Sequence, residues 1–358
     1  MYIYFHIPFC ASICSYCDFP KVLYDKKYIY NYLKALEKEI DARYKNEEVK
    51  TIYIGGGTPT SLALDELKML LEITTKFKRK NLIEFTIESN VECLDIDKIN
   101  LLKEYGVNRV SLGVQSFNNN TLKELNRKHT KEDVFDVVSN LKKVGINNIS
   151  IDYIYGVNSN IEELKEDINT FFKLDVPHIS CYSLIIEDGT IFGINKKKYI
   201  DEEKELEMYK YIENTLDKNN YKHYEISNYA KDDFYSIHNI NYWNNGNYYG
   251  FGMGAVSYLN KNRITNTKSL TNYIDGNYQY ENTYEDKLLE ISNTFMLGFR
   301  LVKGIDTDMF YKRYNIKVTD LEVVNKLLKE EKLILKDNRL FISPKYFYLS
   351  NEIIMEFI

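Results

Sequence analysis

Along roughly the first 220 residues, short β-rich runs alternate with amphipathic helical stretches, a pattern that predicts parallel strands joined by helical crossovers. The pattern predicts strands from Tyr2 to Ile7, Thr51 to Ile54, Ile83 to Glu88, Arg109 to Gln115, Asn148 to Tyr155 and His178 to Leu184. Helices are expected from Tyr28 to Arg43, Leu64 to Phe77, Asp95 to Tyr105, Lys131 to Val144 and Ile161 to Leu174, with Gly106 and Gly145 ending two of them. Each helix leads into a strand within a few residues, as βα units require. The expected fold is therefore α/β, a partial (βα)6 barrel left open on one side.

After a further helix from Glu202 to Asn219 the pattern changes. Residues 221–280 are rich in Tyr, Asn and Gly, and residues 281–358 carry helices near Glu285 to Leu301 and Leu321 to Glu331. Leu333 to Ile342, with Asp337 and Asn338 at its centre, reads as a β-hairpin. We divide the chain into a core domain at 1–220, a connecting region at 221–280 and a smaller C-terminal helical and hairpin domain at 281–358. A helix pair before a hairpin raises the question of a nucleic-acid-binding winged helix. Lys326, Lys329, Lys332 and Lys336 are balanced by Glu322, Glu330, Glu331 and Asp337, so no basic stripe forms.

Composition narrows the function classes. The 358 residues are 44% hydrophobic and 28% charged, with a net charge of -5, and the charges are interspersed. Neither a nucleic-acid footprint nor a polybasic membrane patch results. The start, MYIYFHIPFC, lacks the basic and long apolar segments of a signal peptide, and no stretch approaches the roughly 20 apolar residues of a membrane span. A cytoplasmic protein is expected.

The five cysteines change the picture most. Three fall within eight residues, Cys10-Ala-Ser-Ile-Cys14-Ser-Tyr-Cys17, and two are isolated, Cys93 and Cys181. In a reducing compartment this is a poor disulfide framework and reads first as metal ligation. Three thiolates in a loop after the first strand suit three corners of a cubane cluster and leave the fourth iron open. A small molecule offering an amine and a carboxylate could chelate that iron. Two other readings stand beside this one: zinc held by His6 with the three thiols, and three small core residues on one helical face.

A second motif, Gly55-Gly56-Gly57-Thr58-Pro59-Thr60, follows the strand TIYI at the carboxyl end of the parallel strands, where ligands bind in such folds. It matches neither GxGxxG nor a P-loop, so a phosphate cradle is poorly supported. Exposed carbonyls would suit an ammonium group, and a tight strand-to-helix turn is the structural alternative.

YFHIPFCASICSYCDF followed by IYIGGGTPTSL resembles the radical S-adenosylmethionine family, in the branch that contains oxygen-independent coproporphyrinogen oxidase and a heme chaperone. The resemblance runs over nearly the whole chain. It implies a [4Fe–4S] cluster on Cys10, Cys14 and Cys17, and adenosylmethionine held near Tyr4, Tyr16, Gly56, Gly57, Thr58 and Glu88. Gln115 in GVQSF, Arg127 in ELNRKH and Asp152 in IDYIYG fall where relatives hold adenosylmethionine, in the oxidase a second molecule of it. Glu88, Gln115 and Asp152 lie at or near the ends of expected strands, on the ligand-facing rim. Arg127 could equally be a surface charge.

Two departures separate the chain from the oxidase branch. Position 19 is Phe where the oxidase motif continues to a further Cys, and only nine residues precede Cys10. His238-Asn239-Ile240-Asn241-Tyr242-Trp243 resembles the HNxxYW segment of the chaperone branch. The resemblance thus implies a heme-binding protein that passes heme to acceptor hemoproteins, with His238 a candidate heme ligand and His223 a weaker one. A satisfied core histidine is the alternative for His238. The competing function is anaerobic oxidative decarboxylation of coproporphyrinogen III. The oligomeric state is left open, a homodimer included.

Overall fold

The structure, a computed structural model, describes all 358 residues. Its centre is a run of six parallel strands in sequential order: β1 (Tyr2–Ile7), β2 (Thr51–Gly56), β3 (Glu84–Asn90), β4 (Arg109–Gln115), β5 (Asn148–Tyr155) and β6 (His178–Ser183). Each neighbouring pair is joined by a helical crossover, namely Lys26–Arg43, Leu64–Ile73, Ile96–Glu104, Lys131–Lys143 and Ile161–Leu174. This is the expected open (βα)6 arrangement. The helix expected to reach Phe77 ends at Ile73, and a 3-10 turn, Thr74–Lys76, follows it.

The two faces of the strands differ in kind. Ile3, Phe5, Ile52, Ile54, Phe85, Ile87, Val110, Leu112, Ile149 and Ile151 point outward, where they are fully buried beneath the helices. The alternate positions line the barrel interior and are mostly polar, and strand register sets them in rows. Tyr2 pairs with Thr51 and Thr51 with Glu84; Gly113 pairs with Asp152 and Asp152 with Ser180. An apolar outer face supplies the packing, so the interior is free to carry chemistry.

Three short strands outside the expected set extend the sheet. β7 (Lys222–Glu225) and β8 (Asn228–Ala230) add antiparallel beyond β6, and β9 (Tyr249–Phe251) adds parallel beside β1. Between them the helix Ile237–Trp243 crosses the amino-terminal ends of the strands. Its first amides, of Ile237 and His238, donate to the Glu84 carboxylate at 2.7 and 3.2 Å. The carboxylate meets the positive end of the helix, which fixes the helix as a floor.

A second apolar core, including Phe295, Phe299, Phe310, Val324 and Leu340, holds the C-terminal helices and hairpin together. The hairpin pairs Leu333–Lys336 with Arg339–Ile342, and Asp337 and Asn338 both take positive φ, as a two-residue type I′ turn requires. No helix is long and apolar enough to cross a membrane.

Candidate cofactor site

A cavity of about 440 Å³ opens at the carboxyl ends of the parallel strands and reaches down the barrel to Asn239 on the floor helix. Its mouth is the cysteine loop. The segment after Cys10 is an irregular loop and not a helix, so the reading of three cysteines on one helical face does not hold. The loop is tied down from two sides by three bonds: Ser15 N–H donates to Leu125 O at 3.2 Å and Asn126 Nδ2 to Ile13 O at 2.7 Å on one, and Phe192 N–H donates to Ser15 O at 2.9 Å on the other. Cys10, Cys14 and Cys17 all line the cavity. Burial pushes the Cys10 thiol up to about 11 and raises that of Cys17.

The zinc alternative fails on His6. Its Nε2 lies 2.7 Å from Pro20 O and its Nδ1 3.0 Å from Tyr4 Oη, so both ring nitrogens are engaged within the protein. No three His, Cys, Asp or Glu side chains converge as ligands of a single ion. The donor set that remains is three soft thiols at the rim of a cavity, which suits a thiolate-bound iron–sulfur cluster with one open corner.

The glycine run forms the wall beside the thiols. Gly56 has φ +117, and a Cβ there would lie 2.9 Å from the His6 ring. A Cβ on Gly57 would lie 2.8 Å from the Pro8 backbone and 2.9 Å from Cys10 Sγ. The amides of Gly56, Gly57 and Thr58 donate to Glu88 Oε2, Ile7 O and Phe9 O at 3.0, 2.9 and 2.9 Å, leaving none to form a phosphate nest. Thr58 Oγ1 donates toward Cys10 Sγ at 3.7 Å and accepts from Asn90 Nδ2 at 3.1 Å.

Glu88 faces this wall, with Oε1 accepting from Tyr53 Oη at 2.7 Å. Burial raises its pKa to about 7, against the lowering effect of that bond. Asp152, also raised by burial, accepts from Ser111 Oγ at 3.1 Å. Gln115 sits in a β-bulge where the β4–β5 register shifts, with φ 71, a strained backbone that turns its side chain toward the cavity. Tyr16 and Arg127 complete the lining beside Cys14, and Arg127 Nη1 lies 3.6 Å from Cys14 Sγ. Tyr4 stands just behind the wall, its hydroxyl on His6.

Tyr4 and His238 are the expected site residues that do not line the cavity, and His238 lies farther from its mouth. The histidine is fully buried in the floor, its Nδ1 2.7 Å from Thr51 Oγ1 and its Nε2 2.7 Å from Tyr242 Oη. Burial lowers its pKa to about 3. With both nitrogens engaged it is a satisfied core histidine here, not an open ligand. His223 stacks on Tyr229 at 4.2 Å, on the sheet extension. The sequence reading missed Arg109, whose buried side chain lines the cavity with its Nε unpartnered. Strand alternation was its only signal, since it places Arg109 on the same face as Ser111 and Gly113.

Residues 4–171 match the profile of the Radical SAM superfamily. The heme chaperone HemW of Lactococcus lactis is 38% identical over 99% of this chain and 96% of its own length. The chain belongs to the HemW family of the radical SAM superfamily. The HemW of Bacillus subtilis is 35% identical over 99% of this chain and 98% of its own, and that of Escherichia coli 32% over 84% and 83%. The solved coproporphyrinogen III oxidase (HemN) from Escherichia coli has the same fold, with a TM-score of 0.88 over 99% of this chain and 89% of that one, at 21% identity. As in the rest of the HemW family's superfamily, the cofactors are a [4Fe–4S] cluster and adenosylmethionine, and the thiols and the glycine wall fit them.

Proposed function

We propose that this chain binds heme and delivers it to acceptor hemoproteins in the cytosol, as a carrier that holds a [4Fe–4S] cluster and adenosylmethionine at the mouth of its barrel. The observation that carries this reading is end-to-end similarity to heme chaperones, 38% identity over 99% of the chain. Phe19 agrees with it: the side chain is 67% exposed at the cavity mouth and offers no further thiol.

In this reading Cys10, Cys14 and Cys17 take three corners of the cluster. Gly56, Gly57 and Thr58 let the ligand lie close to the backbone, with Tyr4 bracing the wall from behind. Glu88 and Asp152 offer buried carboxylates to a cationic ligand, while Tyr16, Gln115 and Arg127 enclose it from the opposite rim. The cluster, held by Cys10, Cys14 and Cys17, would supply one-electron chemistry at the mouth of the barrel. His238 would reach heme iron only after one of its two 2.7 Å hydrogen bonds, to Thr51 or to Tyr242, has broken to free a ring nitrogen. A homodimer is the assembly to test by light scattering.

The test compares two activities of anaerobically reconstituted protein. Hemin titration followed by the Soret band is expected to show saturable uptake. Dithionite-reduced protein with adenosylmethionine is expected to leave coproporphyrinogen III unconverted. Protoporphyrinogen formation without heme uptake would overturn the reading in favour of the oxidase.

A further inference from the structure

Arg127 is nearly fully buried, with 2% of its side chain exposed, yet it meets three different groups. Its Nη2 donates to Gly113 O at 2.6 Å and to Glu92 Oε2 at 3.2 Å, while Nη1 points at Cys14 Sγ from 3.6 Å. Glu92 is the only carboxylate in ion-pair range of this guanidinium. The same Glu92 oxygen lies 3.4 Å from Nδ1 of His129, whose side chain is fully buried and neither of whose ring nitrogens has a hydrogen-bond partner. The groups come from three separate loops. Glu92 lies in the turn after β3, Arg127 and His129 in the loop before the Lys131–Lys143 helix, and Cys14 in the loop after β1.

A buried guanidinium with a planar fork is held in one orientation only if its partners are held too. Gly113 O fixes one nitrogen, and Glu92 fixes the tilt that brings the other onto sulfur. A charged donor at a cluster thiolate favours the reduced, more negative state and so raises the reduction potential. We infer that Glu92 is a positioning residue that holds Arg127 against the Cys14 sulfur and thereby keeps the cluster's reduction potential high. The inference rests on the proposed cluster site, with Cys14 as a ligand.

The sign of one substitution tests it. Glu92→Gln removes a negative charge near the cluster, so simple electrostatics predicts a more positive midpoint potential. If Glu92 acts by holding Arg127 on sulfur, releasing that direct donor outweighs the more distant charge, and the midpoint moves negative. Glu92→Asp keeps the charge but withdraws the carboxylate by one methylene, and it is expected to move the same way by a smaller amount. Arg127→Gln is expected to give the largest negative shift.

The measurement is an EPR-monitored redox titration of full-length, cluster-loaded protein without adenosylmethionine, with iron and sulfide contents determined for every variant. A positive or absent shift in Glu92→Gln, or an unchanged potential in both Arg127→Gln and Glu92→Asp, overturns the inference while leaving the cluster site standing. Wild-type protein that assembles no cluster overturns both.

Discussion

His238 and Thr51, 187 residues apart in sequence, are joined by a 2.7 Å hydrogen bond between the imidazole Nδ1 and the threonine hydroxyl. The bond fastens the floor helix to the first residue of β2, and Tyr242 engages the other ring nitrogen from within the helix. His238→Ala leaves both hydroxyls without their partner and opens a void. It is expected to destabilise the protein by about 3 kcal/mol in urea unfolding. Thr51→Val, which orphans one nitrogen only, is expected to cost about 1 kcal/mol.

The same bond carries a pH signature. Burial lowers the His238 pKa from 6.5 to about 3, so its contribution is fully present above pH 6.5 and is lost as pH falls toward 3. The stability difference between wild type and His238→Ala should therefore shrink on acidification, measured as paired urea curves from pH 7 to 5. A difference that grows in acid would contradict the buried neutral imidazole.

Glu88 titrates in the opposite sense. Burial raises its pKa from 4.5 to about 7, so the folded protein favours the protonated form. Its contribution is present below pH 4.5 and is lost as pH rises through 7. Relative to Glu88→Gln, wild type without cofactors is expected to lose on the order of 2 kcal/mol between pH 5 and 8. Paired unfolding curves check this. A flat difference would mean that water reaches the carboxylate freely.

Gly57→Ala tests how closely the wall approaches the thiols. The added methyl would lie 2.9 Å from Cys10 Sγ and 2.8 Å from the Pro8 backbone, distances that require one of them to move. The variant is expected to fold, since the outer core is untouched, and to retain less than half the iron of wild type after anaerobic reconstitution. Full iron retention would show that the loop yields without cost.

The barrel was legible because its strands alternate. Ile3, Phe5 and Ile7 against Tyr4 and His6, or Val110 and Leu112 against Arg109 and Ser111, announce one face for helices and one for an interior. The rim was legible from loop residues with unusual chemistry, the thiols and the glycine run. The floor helix and the sheet extension were not, because the added strands are only three and four residues long and the floor's contacts join residues far apart, such as Glu84 with His238. Composition marked that region only as rich in Tyr, Asn and Gly. The HNxxYW segment was visible as a motif, but a sequence cannot say whether an imidazole faces ligand or core. Glu92 was missed for a related reason, since it gains meaning only beside Arg127.

The most direct test of the central claim is a transfer assay. Cluster-loaded protein is charged with one equivalent of hemin, separated from free heme and mixed with an apo-hemoprotein whose holo spectrum is distinct. The account predicts that the acceptor's spectrum appears while the carrier's Soret band decays, at a rate above that of free hemin in the same buffer. Retention of all heme by the carrier, or no heme binding at all, would contradict it.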